Sequence, residues 1–166
     1  GLGVSGFLGS TISIESAVFP AKKKGAGTVR FNDTAGSMAK DSVYNAASVI
    51  RNITDKDIKD YDIHVNVIGG GKIDGPSAGA AITLCIISSL LKKPIRQDIA
   101  VTGEISLQGK IKPVGGIFEK IYGAKRMGIN LVLIPKDNEK EIPVNNSGIE
   151  VKAIESINEL MEIAFN

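Results

Sequence analysis

DIHVNVIGGGKIDGPSAGAAITLCIISSLL, residues 62–91, decides the architecture. Its first six residues alternate strictly, with Ile63, Val65 and Val67 on one face and Asp62, His64 and Asn66 on the other, which predicts a strand with one polar side. A glycine-rich loop follows, from Gly69 to Gly75, and Pro76 suits the first turn of a helix because its missing N–H would have no intrahelical partner there. From Ala78 to Leu91 the chain is apolar apart from Thr83, Ser88 and Ser89. That run is shorter than the ~20 residues a bilayer requires, so it predicts a buried core helix. Strand, glycine loop and buried helix in succession imply an α/β chain whose loop carries the interest.

Upstream, Ser10 to Phe19 is β-rich, Pro20 to Gly27 carries the run Lys22-Lys23-Lys24, and Thr28 to Phe31 resumes a strand. The expectation is a hairpin-like pair joined by a basic loop. From Ser37 to Ile50, Val43, Ala46, Ala47 and Ile50 fall at the i, i+3, i+4, i+7 spacing of an amphipathic helix. Downstream, Ile99 to Thr102 reads as a short strand, and Glu104 to Lys112 as a hairpin in which Ile105 and Leu107 alternate before a Gln108-Gly109 turn. Gly115-Gly116 opens a helix from Ile117 to Met127, closed by Gly128. Asn130 to Ile134 is an apolar strand ended by Pro135, and Ile149 to Ile154 a weaker one. Ser156 and Glu159 form a capping box for a last helix through Phe165. No repeat or linker divides residues 1–166, so the fold class is α/β (α+β), one domain of mixed sheets packed with helices.

Composition narrows the chemistry. Lys and Arg number 20 against 18 Asp and Glu, a net charge of +2, too even for a field that selects nucleic acid. One cysteine, Cys85, forbids an internal disulfide, and one histidine, His64, leaves no set for a structural zinc or a pair for HExxH hydrolysis. Glycine is in excess at 19 of 166 residues, against ~7% on average, so tight turns or close backbone approaches are required. The Gly-rich start lacks an initiator Met, as expected of a piece of a longer chain. Gly1 to Gly6 matches GxGxxG in letters but follows no strand, and neither Gly71-Lys72 nor Gly109-Lys110 completes a phosphate-binding loop.

Three residues compete for a catalytic reading. Ser77 stands where the glycine loop becomes helix, where free backbone N–H groups stabilise a developing oxyanion and the small neighbours Gly75, Ala78 and Gly79 admit a substrate; on position alone it serves equally to begin the helix. His64 could act as its base with Asp62 or Asp74, or be structural. Lys120 is the other base. At about 100° per residue it falls in the arc of Ile117, Ile121, Ala124 and Met127, while Glu119, Tyr122 and Arg126 point away. Burial there lowers an ammonium pKa toward the ~7–8 useful to a general base; the competing reading is a snorkelling side chain. Asp74 is either an opposing charge for Lys120 or a turn residue, and Thr102 either orients Lys120 or fills a half-buried strand position. Cys85, inside an apolar helix, reads as inert.

The segments Asp74-Gly75-Pro76-Ser77-Ala78-Gly79 and Thr102-Gly103-Glu104-Ile105, with Gly109 and Gly115-Gly116-Ile117-Phe118-Glu119-Lys120, resemble the proteolytic domain of the Lon family of ATP-dependent serine peptidases. The resemblance runs through Ala124, Gly128 and Leu133-Ile134-Pro135 and reaches back to Ile63-His64-Val65, with Ser77 placed 43 positions before Lys120. In place of the Pro-Lys pair usual in bacterial-type members stand Lys72-Ile73 behind three glycines.

The resemblance implies the Lon-protease-domain, ribosomal-protein-S5-domain-2-like fold and a Ser-Lys dyad. Ser77 is the nucleophile, Lys120 the general base, Asp74 and Thr102 support them, and Gly75, Pro76 and Ala78 form the oxyanion or substrate loop. It also implies hydrolysis of unfolded or damaged proteins and no cofactor in this domain. ATP and magnesium are used by an AAA+ module that precedes it in full-length chains, which form homo-hexameric rings. The expected location is cytoplasmic, with archaeal-type relatives membrane-anchored through segments of the ATPase module. No membrane segment and no nucleic-acid partner are expected here. Two other readings are a non-catalytic ring-forming scaffold, as in a Lon-like bacterial recombination protein, and a Ser-His hydrolase using His64.

Overall fold

The computed structural model describes residues 1–5, 8–32, 37–68, 75–144 and 148–165. The alternating segment forms β5 (Tyr61–Ile68) after β1 (Leu2–Ser5), β2 (Leu8–Thr11), β3 (Ser13–Pro20), β4 (Val29–Phe31) and helix α1 (Ser37–Thr54). Ile63, Val65 and Val67 are buried, and Asp62 and His64 are exposed, as the period-two pattern requires. A 3₁₀ turn, Pro76–Ala78, leads into helix α2 (Gly79–Leu91), in which ten residues from Gly79 to Leu90 are buried. The remainder is β6 (Ile99–Val101), β7 (Glu104–Ile105), β8 (Ile111–Lys112), α3 (Ile117–Arg126), β9 (Leu131–Pro135), β10 (Glu150–Ile154) and α4 (Ile157–Ala164).

Among the described residues the strands form two hairpins, β1-β2 and β7-β8, and two three-stranded sheets. In one sheet the order is β3-β5-β4, with β3 antiparallel and β4 parallel to the central strand. The expected hairpin-like pair is therefore incorrect. The partners predicted for each other each pair with β5 instead, and the basic loop between them spans its end. Gly27 in that loop lies so close to β5 that a Cβ there would stand 2.1 Å from the Tyr61 carbonyl oxygen.

The second sheet, β10-β9-β6, is all parallel. Every residue of β9 is buried, because helices cover both faces. Leu131 and Leu133 join the main core with α2, α1 and β5, whereas Val132 and Ile134 join a second cluster with Leu2, Ile117, Ile121 and Ala124. Helix α2 is thus the common filling between the two sheets, which explains its nearly all-apolar sequence. The predicted class, mixed sheets packed with helices in one domain, is the observed one.

Local details follow the sequence with two corrections. Ser156 Oγ accepts from the Glu159 N–H and caps α4, and Gly128 takes a φ of 77° just beyond α3. Met127, assigned to the apolar arc of α3, is exposed, because the helix ends at Arg126 and Met127 is its C-terminal cap. Leu107 is exposed too; it sits in the β7-β8 turn rather than on an alternating strand.

Candidate active site

Lys120 is 4% exposed, so its side chain does not snorkel. Its Nζ donates to Thr102 Oγ1 at 2.9 Å, and Thr102 is itself fully buried just after β6. Burial lowers the Lys120 pKa from 10.5 to about 8, since desolvation penalises the ammonium. At pH 7 about one molecule in ten then carries a neutral amine, against about one in three thousand for an unperturbed lysine. Thr102 is fully buried rather than half-buried, and it lies just beyond the strand end.

Ser77, half-buried, lies in the 3₁₀ turn that Gly75 and Pro76 open, with Gly75 at φ 90° and Pro76 in the first helical position. The turn is anchored to the segment that holds Lys120. The Gly103 N–H donates to the Ser77 carbonyl at 2.9 Å, and the Ala80 N–H donates to the Gly103 carbonyl at 3.0 Å. Adjacent residues Thr102 and Gly103 therefore bind the lysine and the serine's backbone respectively. No direct hydrogen bond joins Ser77 Oγ to Lys120 Nζ among the described residues. Gly103 has no room for a side chain, because a Cβ would stand 2.5 Å from Ile111 Cγ2. Ala78 is buried beside Ser77. Asp74 lies outside the described residues.

His64 is on the wrong face. Ile63, Val65 and Val67 turn toward α2, and His64 points to the opposite side of the sheet, level with Ala17 and Arg30. Asp62, offered as its partner, accepts instead from the Thr28 N–H and hydroxyl. Cys85 is buried with its thiol pKa pushed up by desolvation, and Sγ donates to Ser16 Oγ and the Ile14 carbonyl. No group of three or more His, Cys, Asp or Glu residues suited to a metal occurs among the described residues, and none of their helices is long and apolar enough to cross a membrane.

The chain matches the family described as Lon protease (S16) C-terminal proteolytic domain over residues 1–166. It belongs to that family. Within it the chain is similar to Lon protease 2 of Bacillus subtilis (41% identical, 93% of this chain and 30% of the relative). It is also similar to the archaeal Lon protease of Pyrococcus abyssi (37%, 94% and 16%) and to Lon protease of Haemophilus influenzae (40%, 94% and 20%). It thus spans less than a third of the length of these Lon relatives.

A buried polar anchor near α3 escaped the sequence. Asn138, 4% exposed, accepts from the Val114 N–H and donates to the Val114 carbonyl, both at 3.0 Å, pinning the segment that enters α3; its Nδ2 also meets Glu141 Oε2. One Asn in a polar 3₁₀ stretch, Lys136–Glu141, offers no periodic signal. Asn138→Ala is expected to lower stability by about 1–3 kcal/mol in urea unfolding, since it strips both backbone groups of their partner.

Proposed function

We propose that the domain is a serine endopeptidase in which Ser77 Oγ attacks a peptide carbonyl and Lys120 is the general base. The observation that carries this reading is a lysine removed from water, bonded to Thr102, whose neighbour Gly103 holds the turn of Ser77. Neutral Lys120 takes the hydroxyl proton as the Oγ–C bond forms. Backbone N–H groups of the Gly75–Ala78 turn hold the oxyanion. The ammonium then protonates the leaving amine, and water, deprotonated by Lys120, hydrolyses the acyl-enzyme. Chemistry of this kind uses no metal. In the same reading the substrates are unfolded proteins delivered by an AAA+ module that consumes ATP and magnesium, within a homo-hexameric ring in the cytoplasm.

Covalent labelling tests the assignment. A fluorophosphonate should form its phosphorus–oxygen bond at Ser77, with loss of fluoride, at a rate that rises with pH through about 8 as Lys120 loses its proton. The His64→Ala variant should label at close to the parent rate. Labelling at another residue, a rate governed by a group titrating near the ordinary histidine value of ~6.5, or loss of labelling in His64→Ala would refute the dyad.

A further inference from the structure

The outward face of the β3-β5-β4 sheet carries a second constellation, which the chemistry of Ser77 and Lys120 does not use. Across the three strands Ala17, His64 and Arg30 are in register, so their side chains share one face. Phe19, 64% exposed, stands beside Asp62 as an apolar wall. Lys22 and Lys23 line the rim of the resulting cleft, which has a volume of about 470 Å³ and includes Ala26 and Thr28.

The basic loop is held in shape. Asp60 Oδ1 accepts from the Gly25 N–H at 2.9 Å and Asp62 Oδ1 from the Thr28 N–H at 3.1 Å. The Gly27 N–H donates to the Lys59 carbonyl and the Ala26 N–H to the Lys23 carbonyl. Asp60 and Asp62 are thus engaged by backbone donors, while Lys22, Lys23, Lys24, Arg30 and His64 remain exposed. The loop backbone is fixed, and it displays exposed cations beside an exposed aromatic side chain.

We infer that this cleft docks an acidic, extended protein segment bearing an apolar side chain. Carboxylates meet Lys22, Lys23 and Arg30, and the apolar group packs on Phe19. A single exposed aromatic ring on this face, Phe19, gives no stacking series for bases. That favours protein over nucleic acid. The cleft opens on the face of β5 opposite α2, so it serves recruitment rather than bond cleavage, and it stands whether or not Ser77 is the nucleophile.

Fluorescence anisotropy with a short labelled Glu-rich peptide carrying one Leu tests the inference on the 166-residue chain. The peptide should bind at low ionic strength and weaken with salt. Binding should fall by about tenfold or more in the triple variant Lys22→Glu, Lys23→Glu, Arg30→Glu, and fall measurably in Phe19→Ser. Reversals elsewhere on the surface, Lys93→Glu with Lys112→Glu, should leave it within about twofold. The parent circular dichroism spectrum is required of every variant. Absence of binding at low salt, an equal loss in the control reversals, or tighter binding of oligo(dT) than of the peptide would each overturn it.

Discussion

Lys120→Met is expected to abolish peptide cleavage, with kcat reduced about 10⁴-fold or more, because Met cannot accept the Ser77 proton; Ser77→Ala should be at least as severe. Stability depends on the same buried ammonium. In the folded protein Lys120 titrates at about 8, and in the unfolded chain near 10.5. Below pH 8 both states hold the proton, and the native state carries the full desolvation penalty, about 3 kcal/mol. Between pH 8 and 10.5 the unfolded state binds a proton that the native state has lost, so stability rises with pH across that window.

Met fills the lysine's space without its charge but leaves the buried Thr102 Oγ1 without a partner, at a cost of about 1–3 kcal/mol. The single variant should accordingly be near neutral in stability. Lys120→Met with Thr102→Val should be inactive yet about 2–3 kcal/mol more stable at pH 7, an advantage that fades by pH 10.5. Urea unfolding at both pH values measures it, and a double variant less stable than the parent at pH 7 would contradict the argument. Lys120 is then a position where the proposed function and stability pull apart.

Gly123→Ala is expected to destabilise by about 3 kcal/mol or more, although helix propensity alone assigns Ala an advantage of about 1 kcal/mol in a helix interior. The reason is a backbone-to-backbone contact. A Cβ on Gly123 would stand 2.3 Å from the Gly9 carbonyl carbon, and one on Gly9 would stand 1.8 Å from the Glu119 carbonyl oxygen. Neither neighbour is a side chain that can swing away. Arg126 Nη2 donates to the Gly9 carbonyl at 2.7 Å and holds β2 at this separation. Since α3 carries Lys120, peptide cleavage should fall with stability. A gain in the urea midpoint for Gly123→Ala would show that the hairpin yields instead.

The parts legible in the sequence are those with a period or a local signature. The alternation of 62–67, the apolar text of α2, the Ser156 cap and the inward side of Lys120 all rest on residues a few positions apart. What escaped was set by distant partners. Nothing in Val29–Phe31 says that β5, thirty residues later, takes the place beside it, and nothing in Gly9 or Gly123 announces the other. Asn138 binds a backbone segment 24 residues away. The excess of glycine signalled close approaches but not which chain approaches which.

The arrangement of the first sheet also bears on how the chain acquires its structure. Synthesis delivers β3 and β4 before β5, yet they share no ladder, and the strand that joins them arrives only with residues 61–68. Until then both strands expose unpaired edges, and the inner face has no cover before α2 follows. Pairing is thus non-local and late, so folding is expected to be slow, with a nascent chain ending before residue 60 prone to associate with its neighbours. The strand that leads into the Ser77 turn is also the one that closes the sheet, so the turn gains its footing only when the sheet does.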